Sequence, residues 1–292
     1  MKRTLTLLAI LAAIGPAWGQ AVVSSNIVGY NKLKIENTTG YLMIAPQFVP
    51  VGATAADYPI DIQDVFVDST FPDPVLDASG EDIEWGAKLM LWNGVGYDTY
   101  CWTGKTGEEF FENPAWDDKW TGNFGEYLAN NVTIAPGQGV FLWVKDGTAG
   151  TTATVAGEVI NDASMSVALA SGSTGYNMIA NPYPKAVAVN DLMTVTGLTG
   201  VDWTFETEAG DSLMIWSPEE QAYSVELLYA GDSDPDGMME GFGAEPGTWF
   251  DMGNFKTAED VIPVGGAFWV KTSGTGTLTF KYHLNRKQGT RT

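Results

Sequence analysis

One stretch, Gly175-Tyr176-Asn177-Met178-Ile179-Ala180-Asn181-Pro182-Tyr183-Pro184, stands a second time in the chain as the imperfect copy Gly40-Tyr41-Leu42-Met43-Ile44-Ala45-Pro46. Each copy leads into further matching stretches in the same order. After the first come Leu89-Met90-Leu91-Trp92, then Ile134 through Pro136-Gly137-Gln138-Gly139 to Val140-Phe141-Leu142-Trp143-Val144-Lys145, then Ala153-Thr154-Val155. After the second come Leu213-Met214-Ile215-Trp216, then Val261 through Pro263-Val264-Gly265-Gly266 to Ala267-Phe268-Trp269-Val270-Lys271, then Leu278-Thr279-Phe280. Chance similarity of one short apolar run would not repeat an order of motifs, so the chain reads as a tandem duplication of a unit of about 130 residues. Two copies point to a pair of sandwich-like domains, because a solenoid stacks many repeats.

The units read as β. Leu33 and Ile35 alternate with Lys32 and Lys34, the period of a strand with one wet face. Each Gly-Tyr pair opens an apolar run that stops at proline, which has no amide proton for a sheet ladder. Lys88–Trp92, an Asn93-Gly94-Val95-Gly96 turn and Tyr97–Trp102 form a predicted hairpin, matched by Ser212–Trp216 and Ala222–Leu228. Val140–Val144 and Ala267–Val270 are apolar at every position, which predicts central strands covered on both faces. Truncating Phe141 or Phe268 is then expected to cost about 3–5 kcal/mol. Short helices are expected near Ile62–Val67 and near Asn190–Met193, with little helix elsewhere.

Residues 1–19 carry a short basic start, an apolar run from Leu5 to Ile14 broken only by Thr6, and small residues before Gln20. That is the pattern of a secretory signal, too short for a membrane helix. No later run has the length of a transmembrane helix. The chain has 36 Asp plus Glu against 15 Lys plus Arg, a surface that repels nucleic acid and anionic lipid. Cys101 is the one cysteine, so no intrachain disulfide forms. Its neighbours Tyr97, Tyr100 and Trp102 place it in an aromatic strand, away from the reactive thiolates that need a basic partner.

Each unit resembles a recurrent secreted β module of large exported proteins of Gram-negative bacteria. That module has a Gly-Trp-Asn-Leu-Ile-Gly-Asn-Pro-Tyr-Pro stretch, an aromatic strand ending in tryptophan, a Pro-x-Gln-Gly-Phe-Phe-Val-Lys run and a Thr-Leu-Thr-Phe close. The second unit is the better match, through Gly175–Pro184, Trp216, Ile262–Lys271 and Thr277–Phe280; the first has Pro46-Gln47-Phe48 in place of Asn-Pro-Tyr-Pro. The resemblance implies export and life at the cell surface, and it brings no catalytic residue.

Several patterns bear on chemistry. Gly210-Asp211-Ser212-Leu213 spells the nucleophile signature of a family of serine esterases, yet His283 has Phe280 where the Asp of an Asp-x-x-His pair belongs. With one histidine and one cysteine, a zinc site is excluded. Asp232, Asp234 and Asp236 stand at alternate positions before Gly237, with Glu240 beyond. That is the start of a calcium loop, although Gly243 stands where its bidentate glutamate belongs; the alternative is a solvated acidic turn. Asp117 and Asp118 lie beside Trp116 and Trp120, which would suit a sugar-stacking platform or a packed aromatic loop. The glycines before Val140 and Ala267 precede strands and lack Lys-Ser/Thr, so they are turns and not a phosphate cradle.

The expected fold is all-β, two tandem sandwich-like or jelly-roll-like modules over 20–160 and 161–292, from an internal duplication and with little helix. The expected role is that of a secreted or cell-surface structural or adhesive protein, not an enzyme, without a cofactor unless calcium binds. Its partners would be further copies of itself or a surface glycan; the alternatives are a carbohydrate-binding protein and a hydrolase using paired carboxylates. Assembly could run through the N-terminal strand, with Val22, Val23, Ile27 and Val28, or through the basic tail, with Lys281, Arg286, Lys287 and Arg291. The strand could equally complete the first module, and the tail could be a frayed terminus. The repeat core is expected to hold Tyr41, Ile44, Trp92, Phe141 and Trp143 in the first unit and Tyr176, Ile179, Trp216, Phe268 and Trp269 in the second.

Overall fold

The computed structural model describes residues 28–34, 40–49, 59–66, 70–145, 152–160, 164–170, 174–190, 193–196, 201–202, 211–217, 222–231, 248–251, 254 and 256–281. These are predominantly strand with little helix, organised into several sheets. The first half contributes β1 (Val28–Lys34), β2 (Gly40–Ile44), β3 (Phe48–Val49), β4 (Ile60–Asp61), β5 (Val75–Leu76), β6 (Ile83–Glu84), β7 (Ala87–Trp92), β8 (Tyr97–Trp102), β9 (Trp120–Gly122), β10 (Tyr127–Leu128), β11 (Thr133–Ile134), β12 (Val140–Val144) and β13 (Thr152–Val159). The second contributes β14 (Ser164–Leu169), β15 (Tyr176–Ala180), β16 (Val187–Ala188), β17 (Met193–Thr196), β18 (Val201–Asp202), β19 (Ser212–Ser217), β20 (Ala222–Gly231), β21 (Trp249–Asp251), β22 (Lys256–Thr257), β23 (Val261–Ile262), β24 (Ala267–Lys271) and β25 (Gly276–Lys281).

The large sheet of the first half runs β10-β9-β8-β7-β12-β2, and that of the second runs β22-β21-β20-β19-β24-β15, with β18 paired to β20 off this path. Laying Tyr41 on Tyr176 brings these two paths into the same order, strand for strand. The pairs β4 with β11 and β16 with β23 correspond as well, as do β1 with β13 and β14 with β25. The small sheets differ in their third strand: β3 follows β2 directly in the first half, whereas β17 lies well beyond β15 in the second.

Continuous apolarity places β12 and β24 as expected, each between two antiparallel neighbours. Period-two alternation then assigns their faces. Leu89, Leu91, Val140, Leu142 and Val144 join one continuous buried cluster with Ala153 and Val155 of the small sheet, and Leu213, Phe268 and Val270 join it with Leu278 and Phe280. The opposite faces of the large sheets meet in a second cluster, built from both halves.

Ladder register fixes the correspondence between the two central strands. Met43, Phe141 and Met90 form a row across β2, β12 and β7, and Met178, Trp269 and Met214 form the matching row across β15, β24 and β19. Phe141 is therefore the counterpart of Trp269, and Val140 that of Phe268. One residue of offset exchanges the two faces of a strand, so aligning the two phenylalanines mixes a residue facing the other half with one facing its own core.

Among the described residues helix is confined to short pieces. In α1 (Ile62–Val65), Asp61 caps the start by accepting from Gln63 N at 2.9 Å. The Gln63 side chain donates to Trp120 O and accepts from Trp120 N, tying this turn to β9. The turn of helix expected at Asn190–Met193 runs through residues 191–192, which lie outside the described residues; on either side Asn190 holds Trp249 through both backbone polar groups, and Met193 begins a strand. The loop after β8 adds α2 (Gly107–Phe111) and a 3-10 turn at Pro114–Trp116, which the sequence did not signal.

Candidate functional site

The two halves meet along an aromatic seam whose contacts are reciprocal. Trp92 Nε1 donates to Tyr176 O at 2.9 Å, and its counterpart Trp216 Nε1 donates to Tyr41 O at 2.9 Å. Ala45 N donates to Gly265 O at 3.0 Å, and Ala180 N donates to Gly137 O at 2.8 Å. Such exchange of equivalent bonds is the signature of an isologous interface, here inside one chain.

Local sequence explains how each turn reaches across. Gly137 and Gly265 have φ of 79° and 75°, a left-handed conformation that β-carbons disfavour. A β-carbon on Gly137 would lie 2.5 Å from Val167 Cγ2, and one on Gly265 would lie 2.6 Å from Asn31 Nδ2. Val167 stands in β14 and Asn31 in β1, so the turn of each half sits on the first strand of the other. Gln47, fully buried, donates from Nε2 to Tyr183 O at 2.9 Å and accepts from Asn31 Nδ2.

Met43, Ala45, Phe141, Met178, Ala180, Ala267 and Trp269 fill the centre of the seam, with Met90, Trp92, Tyr176, Met214 and Trp216 around them. Trp92 meets Trp269 edge-on at 5.1 Å, and Phe141 lies 6.4 Å from Trp269. Thioethers flanking aromatic rings in this way make favourable sulfur contacts and fill irregular gaps. Around the rim, Tyr41, Tyr97 and Tyr223 remain 44%, 41% and 40% exposed. Trp269 Nε1 donates to the Tyr223 hydroxyl at 3.2 Å. Burial, followed by the neighbouring Tyr223 and Tyr41 phenols, pushes the Tyr97 hydroxyl well above the usual tyrosine range, and burial also raises Tyr223. On another side of the seam a cavity of about 240 Å³ opens between Trp92, Gly94 and Gln138 of the first half and Val167, Tyr176 and Asn177 of the second. Thr174 Oγ1 donates to Gly94 O at 3.0 Å beside it.

The residues singled out as repeat core divide by face. Ile44, Ile179 and Phe268 are buried in the continuous cluster on the other faces of the large sheets, whereas Phe141 and Trp269 are buried in the seam. Trp92, Tyr176 and Trp216 are half-buried there. Tyr41 is not core but rim. Trp143 is half-buried under the Lys88 ammonium, 5.0 Å from its ring.

The proposed sugar platform does not assemble. Trp120 is 1% exposed and packs against Phe66, Phe71 and Trp102, with ring centroids 5.2–5.8 Å away, so it offers no face to a ligand. Trp116 packs on Phe111 at 5.3 Å. Asp117 Oδ1 accepts from Gly107 N at 2.8 Å and so fixes the α2 loop, while Asp118 takes φ of 54°. Ser212 is buried in a hairpin strand, and Asp211 Oδ1 accepts from Ser273 N, so this pair is architectural. Cys101 is fully buried, and burial pushes its thiol up to about 12.

The calcium candidates Asp232, Asp234, Asp236 and Glu240 lie outside the described residues, as do Val22, Val23, Ile27, Arg286, Lys287 and Arg291. Val28 pairs with Glu158 of its own chain, and Lys281 pairs with Ser164. Among the described residues no group of three or more His, Cys, Asp or Glu could hold a metal ion, and no helix is long and apolar enough to cross a membrane. Compared with known protein families, curated proteins and solved structures, the chain matches none.

Proposed function

We propose that this is an exported, non-enzymatic structural or adhesive protein of the bacterial surface, built from two sandwich-like modules that arose by duplication and work as one rigid body. The observation that carries the reading is the reciprocal pair of indole bonds, Trp92 to Tyr176 and Trp216 to Tyr41. It uses the most conspicuous residues of the repeat to hold sheets together. The secretory pattern of residues 1–19 and the acidic surface fit an exported life. Assembly into larger arrays would run through the basic segment 281–292 against the acidic body of the next copy.

Expression of the full chain in a Gram-negative host, followed by fractionation, size-exclusion chromatography and electron microscopy with and without calcium, tests this reading. Export and multimers that disappear on removal of residues 282–292 are the expected result. A chain retained in the cytoplasm, or turnover of a substrate that one carboxylate substitution abolishes, would contradict it.

A further inference from the structure

We propose that the open rim of the seam, where Tyr41, Tyr97 and Tyr223 gather around Phe141 and Trp269, binds a neutral pyranose ring of a glycan chain. Three phenols from three strands and both halves are each about two-fifths exposed at one place. The Tyr41 and Tyr97 rings lie 5.9 and 5.7 Å from Phe141, Tyr97 lies 6.4 Å from Trp269, and the Tyr223 hydroxyl takes the Trp269 indole proton. Flat aromatic faces receive the C–H face of a sugar, while phenol hydroxyls exchange hydrogen bonds with its hydroxyls.

Charge selects the ligand class. The chain has a formal net charge of −21, yet strand alternation and ladder register send Asp98, Glu226 and Asp251 to the faces of their sheets turned away from Tyr97 and Tyr223. Val225, 45% exposed, shares the face of Tyr223. Lys88 of β7 and Lys271 of β24 lie over the Trp143 and Tyr176 rings. A surface that acidic, with an aromatic patch that is uncharged among the described residues, suits a ligand bearing hydroxyls and no carboxylate. This site is separate from the Trp116 loop, and it goes beyond the structural role proposed above.

The test is affinity electrophoresis of the full chain through gels holding laminarin, hydroxyethylcellulose or mannan, with alginate as the acidic comparison. At least one neutral polysaccharide should retard the protein and alginate should not. Tyr97→Ala and Tyr223→Ala should weaken the retardation about tenfold, equivalent to about 1.4 kcal/mol. Tyr97→Phe and Tyr223→Phe, which keep the rings and the fold, should give an intermediate loss, and Trp116→Ala no change. No retardation by any of the three neutral polymers, retardation by alginate alone, or retardation unchanged in all four tyrosine variants would overturn the proposal. A dimer in sedimentation that Tyr97→Ala abolishes would also overturn it, by showing that a second copy covers the patch.

Discussion

Trp92 of the first half donates its indole proton to the main-chain oxygen of Tyr176 in the second, and Trp216 returns the same bond to Tyr41. Neither acceptor oxygen belongs to the tryptophan's own sheet, so each bond crosses the seam. Replacing one indole by a phenyl ring removes the donor and leaves most of the packing. Trp92→Phe and Trp216→Phe should each cost about 1 kcal/mol in urea unfolding. The double variant should lose less than the sum if the two bonds support one shared interface, because each single variant already loosens the bond that remains.

Phe268 is fully buried, and Phe141 and Trp269 are nearly so, on the other faces of their strands. Phe268→Ala should cost about 3–5 kcal/mol by opening a cavity inside one half. Trp269→Ala should cost a similar amount but act on the seam, raising the Tyr97 and Tyr223 accessibility to tetranitromethane. Equilibrium unfolding and nitration mapped by mass spectrometry separate the two effects.

Gly137 and Gly265 combine positive φ with a close approach to the opposite half. Alanine at either should destabilise by about 1–2 kcal/mol, through backbone strain and contact with Val167 or Asn31. Adding Val167→Ala to Gly137→Ala should recover only part of the loss, because the backbone conformation stays strained. Thermal unfolding checks this.

The organisation of the halves was readable because it is written in repeated apolar runs: β12 and β24 are central for the reason their uninterrupted apolarity suggests. The seam was not readable. Tyr41, Trp92, Phe141 and Trp269 look alike as core candidates, and nothing in a single chain distinguishes a face turned to its own small sheet from one turned to the other half. The insertion 104–130 misled for a related reason, since Trp120 beside two aspartates reads equally as a platform or as packing. Only its place between Phe71 and Trp102 decides for packing.

Burial raises the thiol of Cys101 to about 12, which keeps it protonated and inaccessible in the folded chain. Ellman's reagent at pH 8 should leave it unmodified until denaturant is added. Rapid reaction in the native protein would place Cys101 at the surface.

Tyr97, Tyr100 and Tyr223 are all raised above the model-compound value of 10.0, with burial the first cause in each. A group whose folded pKa is raised contributes stability that is present below the unfolded value and lost as pH climbs past it, because the unfolded chain releases its proton first. Stability should therefore fall above pH 10, and the tyrosinate signal of these three side chains should appear late and together with unfolding. Early titration of these three with the fold intact would contradict this.

The most direct measurement is hydrogen exchange of the two indole protons by NMR. Trp92 and Trp216 Nε1–H should exchange far more slowly than a free indole, and Trp216→Phe should speed exchange at Trp92. Exchange of both at the free rate, or indifference of one to loss of the other, would contradict a seam in which the two halves hold each other.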